Sequence, residues 1–279
     1  MRQARKIAKT VAPETATDGA GVLLKRVLGA HKLSDIDPFL MLDHFGSENP
    51  DNYIAGFPMH PHRGIETVTY VLQGAIKHGD SEGNEGIIRA GGVQWMTAGS
   101  GIIHEEMPQL EDGKLEGFQL WVNLPARSKM IKPRYREFRR EEIPVHSLDG
   151  AAVKVIAGDF DGTEGAITDL EAASGMLDVE LAADAVFEYG LPETHNAFIY
   201  VFRGEIRGES EALVTAPMLA LLEGGETVRL KAGASGTRFL LVHGEPLNEP
   251  VARYGPFVMN TREEIATALD ELNRGVFVK

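Results

Sequence analysis

The stretch GFPMHPHRGIETVTYVLQG, residues 56–74, carries most of what the chain says about its fold. Its second half, ETVTYVLQG, is rich in β-branched and aromatic residues and is bounded by glycine, the signature of a short strand. His60 and His62 stand at i and i+2. On a strand that spacing sends both imidazoles to the same face. Further on, AGGVQWMTAGSGIIHEEMP (residues 90–108) repeats the arrangement with His104 and Glu106. Two neighbouring strands presenting these faces to a barrel interior would offer three nitrogens and one oxygen to a cation. Either pair alone is weak evidence. The second pair adds weight because the intervening glycines let the chain turn back beside the first.

Outward from these motifs, short runs of the same character fill the chain: GFQLWVNLP at 117–125, AFIYVFRGEI at 197–206, MLALLEGG at 218–225 and TRFLLVHG at 237–244. Such spacing predicts an all-β protein of the sandwich or barrel type. Part of the pattern recurs. Tyr70-Val71-Leu72-Gln73-Gly74 with Ile76 matches Tyr200-Val201-Phe202-Arg203-Gly204 with Ile206 at an offset of 130, and further on Gly91-Gly92 matches Gly224-Gly225 at 133 and Ala98-Gly99 matches Ala232-Gly233 at 134. Two similar barrels in tandem are expected. The segment 125–150, with prolines at 125, 133 and 144 and little periodicity, reads as the join, giving domains 1–140 and 141–279. Helical signal is confined to the end, where Thr261 and Glu264 form a capping box ahead of Ile265, Leu269 and Leu272.

With 279 residues the chain suits two domains. A formal charge of −13 disfavours direct binding to nucleic acid or anionic lipid. Against that trend, Arg127, Lys129, Lys132, Arg134, Arg136, Arg139 and Arg140 cluster within the join, read here as a solvated connecting segment. Cysteine is absent, which removes disulfides, thiolate metal sites and a cysteine nucleophile. Any metal must bind imidazole or carboxylate. The basic N-terminal stretch lacks the apolar run of a secretory signal, and no membrane-length apolar run occurs, so a cytoplasmic protein is expected.

The first stretch resembles the leading signature of the cupin superfamily: glycine, His-x-His, then glutamate and glycine. Residues 90–108, together with DPFLMLDHFG (37–46) and YGPFVMNTREEI (254–265), are similar specifically to pirins, and the resemblance runs from about Gly19 to Phe277. It implies two cupin-type barrels followed by a short C-terminal helix, with a single divalent metal in the first barrel held by His60, His62, His104 and Glu106. Glu66 competes, because single-metal cupins commonly use the glutamate at that place. The resemblance favours Glu106. Iron(II) is the first choice, although the same donors accept Mn, Co, Ni, Cu or Zn. At the repeat offsets the second barrel offers Gly190, Pro192, Asn196, Arg238 and Leu240, a set without ligand character. His195 and His243 lie nearby and read as hydrogen-bonded strand residues.

The resemblance also implies an activity. Pirins and related cupins include dioxygenases that cleave the flavonol quercetin with O₂ and release carbon monoxide, and Glu106 would then take the substrate hydroxyl proton. A second class is open, since pirins are also implicated as metal-dependent regulators that bind transcription factors or metabolic enzymes. Phe57 and Met59, flanking the ligand pair, are candidates for an apolar pocket mouth or for plain core. Gln119 is either a pocket hydrogen-bond donor or an ordinary strand residue. His44 in the DHF segment reads as framework, and Trp95 and Met96 as core.

Overall fold

The computed structural model describes residues 3–111, 113–209 and 212–279. Strands dominate, and the one α-helix among the described residues is Arg262–Asn273. Its capping box is formed: Thr261 accepts from the Glu264 backbone N–H, and the Glu264 carboxylate accepts from the Thr261 N–H. Ile265 and Ala268 are buried, with Leu269 and Leu272 packed beside them. No helix among the described residues is long and apolar enough to cross a membrane.

The chain divides into two compact units that are not contiguous in sequence. One unit takes residues 15–29, 38–140 and 247–279; the other takes the segment up to Glu14, residues 30–37 and residues 141–246. The expected domains, 1–140 and 141–279, therefore assign both ends of the chain differently from the compact units. The physical reason is strand pairing. Lys6–Val11 joins Met218–Glu223 as an antiparallel edge strand, covering main-chain groups that an open edge would leave unpaired. The C-terminal segment covers apolar surface in the first unit, where Val258 is buried among Ile65, Met96 and Ile102.

In the first unit a seven-stranded sheet runs in the order Arg134–Phe138, Val93–Thr97, Ile65–Gln73, Leu115–Asn123, Phe39–Ser47, Val22–Leu28, Glu14–Asp18. A four-stranded sheet has the order Phe57–His62, Ile102–Gln109, Ala75–Asp80, Glu85–Arg89. In the second unit a nine-stranded sheet winds about a core that includes Leu177, Phe187, Ile199, Phe239 and Leu241. Its longest strand, Thr227–Gly244, pairs with three others along its length.

The basic join is not the solvated connector expected from its composition. Arg134–Phe138 is a sheet strand paired with Val93–Thr97. Lys129 is only 1% exposed, and its ammonium donates to Gly64 O at 3.0 Å, Asn123 Oδ1 at 2.8 Å and Val258 O at 2.9 Å. Three protons meet three acceptors, so the buried charge is hydrogen-bonded on every N–H. This places a tie between the turn after His62 and the C-terminal segment.

Candidate metal centre

Strand register brings the histidines together. Phe57–His62 runs antiparallel to Ile102–Gln109, with His60 opposite His104 and His62 opposite Ile102. His60 and His62 share a face by the two-residue period, and His104 meets them across the ladder. The ring centroids lie 4.3 Å (His60–His104), 4.9 Å (His60–His62) and 5.0 Å (His62–His104) apart, and one nitrogen from each ring falls within 4.8 Å of the others. Gly64 makes the turn that follows His62 with φ of +78°, where a β-carbon would also collide with the Val258 carbonyl.

Hydrogen bonding prepares two of the rings as ligands. His60 Nδ1 lies 2.9 Å from Pro58 O, and His62 Nδ1 lies 3.4 Å from Pro256 O. A carbonyl can only accept, so the proton belongs on Nδ1 and each Nε2 keeps its lone pair. His104 differs. It is fully buried, and neither ring nitrogen has a hydrogen-bond partner. An unsatisfied buried polar atom costs on the order of 1–3 kcal/mol, so His104 fits a site completed by a cation. Burial pushes His62 down to about 3, with His60 and Arg253 adding to the effect, and burial likewise lowers His104. Both are neutral near pH 7, the form that ligates.

Beside the triad lies a cavity of about 620 Å³, bounded by Leu24, Phe45, Phe57, Ile76, Leu115 and Trp121 among others. Charged and polar side chains, among them Asp43, Glu106, Gln119 and Arg253, share its wall with the apolar ones, a mixture that can both bury and orient a small molecule.

The pirin family model matches residues 21–122, and the model of the pirin C-terminal cupin domain matches residues 176–278. The chain belongs to the pirin family. A pirin-like protein of Caulobacter vibrioides is 46% identical, with 98% of this chain and 99% of the relative covered. Human pirin is 38% identical, with 96% and 92% covered. Among solved structures, a quercetin 2,3-dioxygenase from Acinetobacter baumannii has a TM-score of 0.91 and 35% identity over 99% of both chains.

Within this pirin-family fold the other sequence candidates separate clearly. Glu106 follows His104 on the same buried face of its strand, and its carboxylate is held by Thr69 Oγ1 at 2.5 Å and Gln119 Nε2 at 2.7 Å. The group of donors within 4.8 Å comprises the three histidines, without that carboxylate. Glu66 lies three residues before Thr69 on Ile65–Gln73, hence on the opposite face. It accepts from Thr97 Oγ1 at 2.6 Å and pairs with Arg136 at 3.3 Å. Burial raises its pKa against those two partners. Phe57, Met59 and Gln119 all line the cavity, with Met59 at its exposed rim.

His44 is buried against Glu116 at 3.1 Å, and Trp95 and Met96 are buried. In the second unit Arg238 pairs with Asp178 at 2.6 Å, Asn196 donates to Asp37 O, and Leu240 is buried.

Sequence reasoning missed three parts of the pirin site. Thr69 was legible in principle, as a polar residue alternating within ETVTYV. His78 packs 5.4 Å from His104 but has both nitrogens engaged, with Gln94 at 2.8 Å and Asp80 at 3.1 Å, so it walls the site. Arg253, 5.0 Å over the Trp121 ring, and Pro256 arrive from the C-terminal segment, and no local signal ties that segment to the triad.

Proposed function

We propose that the protein is a mononuclear metal dioxygenase acting on quercetin or a related flavonol, with iron(II) held by His60, His62, His104 and Glu106. The observation that carries the reading is His104, whose two partnerless buried nitrogens complete a histidine triad opening on a cavity of about 620 Å³. The likeness to the Acinetobacter quercetin 2,3-dioxygenase supports the substrate class. A divalent metal held by these residues would supply Lewis acidity for activating the substrate and O₂.

The chain's own residues do the rest. His60 and His62 are oriented by carbonyls that fix their Nε2 atoms as donors. Glu106 supports the role of fourth donor and base by its position on the face of His104 and in the cavity wall. Its carboxylate accepts the flavonol hydroxyl proton, while Thr69 and Gln119 hold it in orientation. Phe57, Leu24, Phe45 and Leu115 bury the flat aromatic rings and exclude water.

The test is aerobic incubation of the iron-loaded protein with quercetin, followed by loss of the flavonol absorbance and by carbon monoxide release. A fully metallated, folded protein with no oxygen-dependent loss of quercetin or related phenols would overturn the reading in favour of metal-dependent regulation of a protein partner.

A further inference from the structure

Register strings polar side chains along one rung of the first barrel's seven-stranded sheet. Arg26 pairs with Asp43, Asp43 with Gln119, Gln119 with Thr69, and Thr69 with Gln94, each on the next strand. The flanking rungs are apolar where they line the cavity, with Leu24 opposite Phe45 and Met41 opposite Trp121. The second barrel serves as a control. From Ile199, the counterpart of Thr69 at the repeat offset of 130, the same walk meets Ala220 on one side and Leu241, Leu177 and Val155 on the other, all of them buried core. A fold that fills this rung with aliphatic side chains in one barrel has no packing need for charge there in the other, and polar groups taken from water cost stability unless they are paired.

One end of the rung already has its task, since Gln119 and Thr69 hold Glu106. The other end is a preformed donor. Arg26 Nε and Nη2 donate to the two oxygens of Asp43 at 2.9 and 2.8 Å, and Nη2 donates also to Asp18 Oδ2 at 2.6 Å. Asp43 is buried, and its two-pronged grip fixes the plane of the guanidinium. Nη1 has no hydrogen-bond partner among the described residues, so its two N–H groups are what this wall leaves for a ligand. Arg26, Asp43 and the exposed Asp18 all line the cavity of the histidine triad. A hydroxyl satisfies both neighbours at once, accepting from Nη1 and donating to Asp18. An ether or carboxylate oxygen can only accept, and a carboxylate would meet Asp18 as a like charge.

We infer that Arg26, together with Asp18, recognises a neutral hydroxyl on the substrate ring remote from the triad, so that the protein selects ring-hydroxylated flavonols over unsubstituted ones. The inference rests on the dioxygenase reading for the class of ligand. The substrate oxygen that gives up its proton lies at the Glu106 end of the rung and the hydroxylated ring at the Arg26 end. Leu24 and Phe45 flank that ring on one side, Met41 and Trp121 on the other. Arg253, also in the cavity wall, lies over the Trp121 ring and outside the rung.

The experiment loads the full-length chain with zinc(II), which has no redox chemistry, and measures binding of quercetin and of 3-hydroxyflavone by calorimetry without oxygen. Both ligands carry the 3-hydroxyl and the neighbouring carbonyl; only quercetin bears ring hydroxyls. Wild type should bind quercetin at least about tenfold more tightly, the worth of one hydrogen bond to a charged group. Arg26→Lys keeps a cation between Asp18 and Asp43 but loses the free edge of the fork. It should cut quercetin affinity about tenfold and leave 3-hydroxyflavone unchanged. Asp18→Ala, at an exposed position where circular dichroism should show an unaltered fold, should narrow the preference in the same direction. Equal affinities in the wild type, or equal losses for both ligands in Arg26→Lys, would overturn the inference and leave the dioxygenase reading standing. Binding of neither flavonol would remove that reading, and the inference with it.

Discussion

In the first barrel the strand ahead of the YVLQG run reads FPMHPH, and its two imidazoles face a third whose nitrogens have no partner. Ahead of the matching run in the second barrel the strand reads VFEYG, and both nitrogens of the buried His243 are hydrogen-bonded, to Tyr189 and His195. Burial lowers both His62 and His243 to about 3, so desolvation alone does not separate the two sites. What separates them is satisfaction. Leaving His104 unpaired costs stability that a bound ligand would offset, whereas the second cluster is complete without one. A buried orphan marks a place for a ligand, and a satisfied pair does not.

The largest expected effect breaks the first barrel's side of this contrast. His104→Ala should abolish tight metal binding, read as loss of metal by elemental analysis of the purified full chain, while Arg238→Ala in the second barrel should leave metal content unchanged. The intact chain is needed, because each compact unit draws on both sides of the 140/141 break. Retention of stoichiometric metal by His104→Ala would remove the triad from consideration.

Next comes the tie beneath the ligand strand. Lys129→Met removes three buried hydrogen bonds, to Gly64 O, Asn123 Oδ1 and Val258 O, and should lower stability by about 3 kcal/mol in urea unfolding. A change below about 1 kcal/mol would show that the tie contributes little.

A sharper distinction concerns the two carboxylates. Glu106→Gln should weaken metal affinity or turnover about tenfold, and Glu66→Gln should leave both nearly intact because Glu66 faces Thr97 and Arg136. Parallel titrations giving equal or reversed effects would assign the fourth ligand to Glu66.

The smallest effect is a pH dependence at the C-terminal helix. Burial opposes ionisation of Glu271, but the hydrogen bond and charge of Arg63, with Lys279, prevail and hold its carboxyl below the ordinary value of 4.5. A depressed acid contributes stability that is present above its unfolded pKa and lost as pH falls through the folded one. Glu271→Gln should therefore cost under about 1 kcal/mol at pH 7, with wild type and variant converging in thermal scans as the pH drops below 4.5. A gap that persists at low pH would mean that the charge is not the cause.

Much of the fold and part of the site were legible before any coordinates. Alternation in ETVTYVLQG, glycine punctuation and the capping box at Thr261 are local properties, and local sterics and periodicity decide them. The same period set His60 with His62 and His104 with Glu106. Neighbours across a ladder are another matter, because they depend on register and on which strand lies alongside, and both are settled by burial over the whole sheet. The tertiary structure alone set Glu66 against Thr97 and Arg136, walled the triad with His78, and faced His195 toward His243 from a separation in sequence that no motif spans. It also drew residues 247–279 back to cap the first barrel, where Val258 and Phe277 gain burial that the exposed end of a chain lacks. The sequence by itself determined which residue types could bind a cation; only packing decided which of them meet.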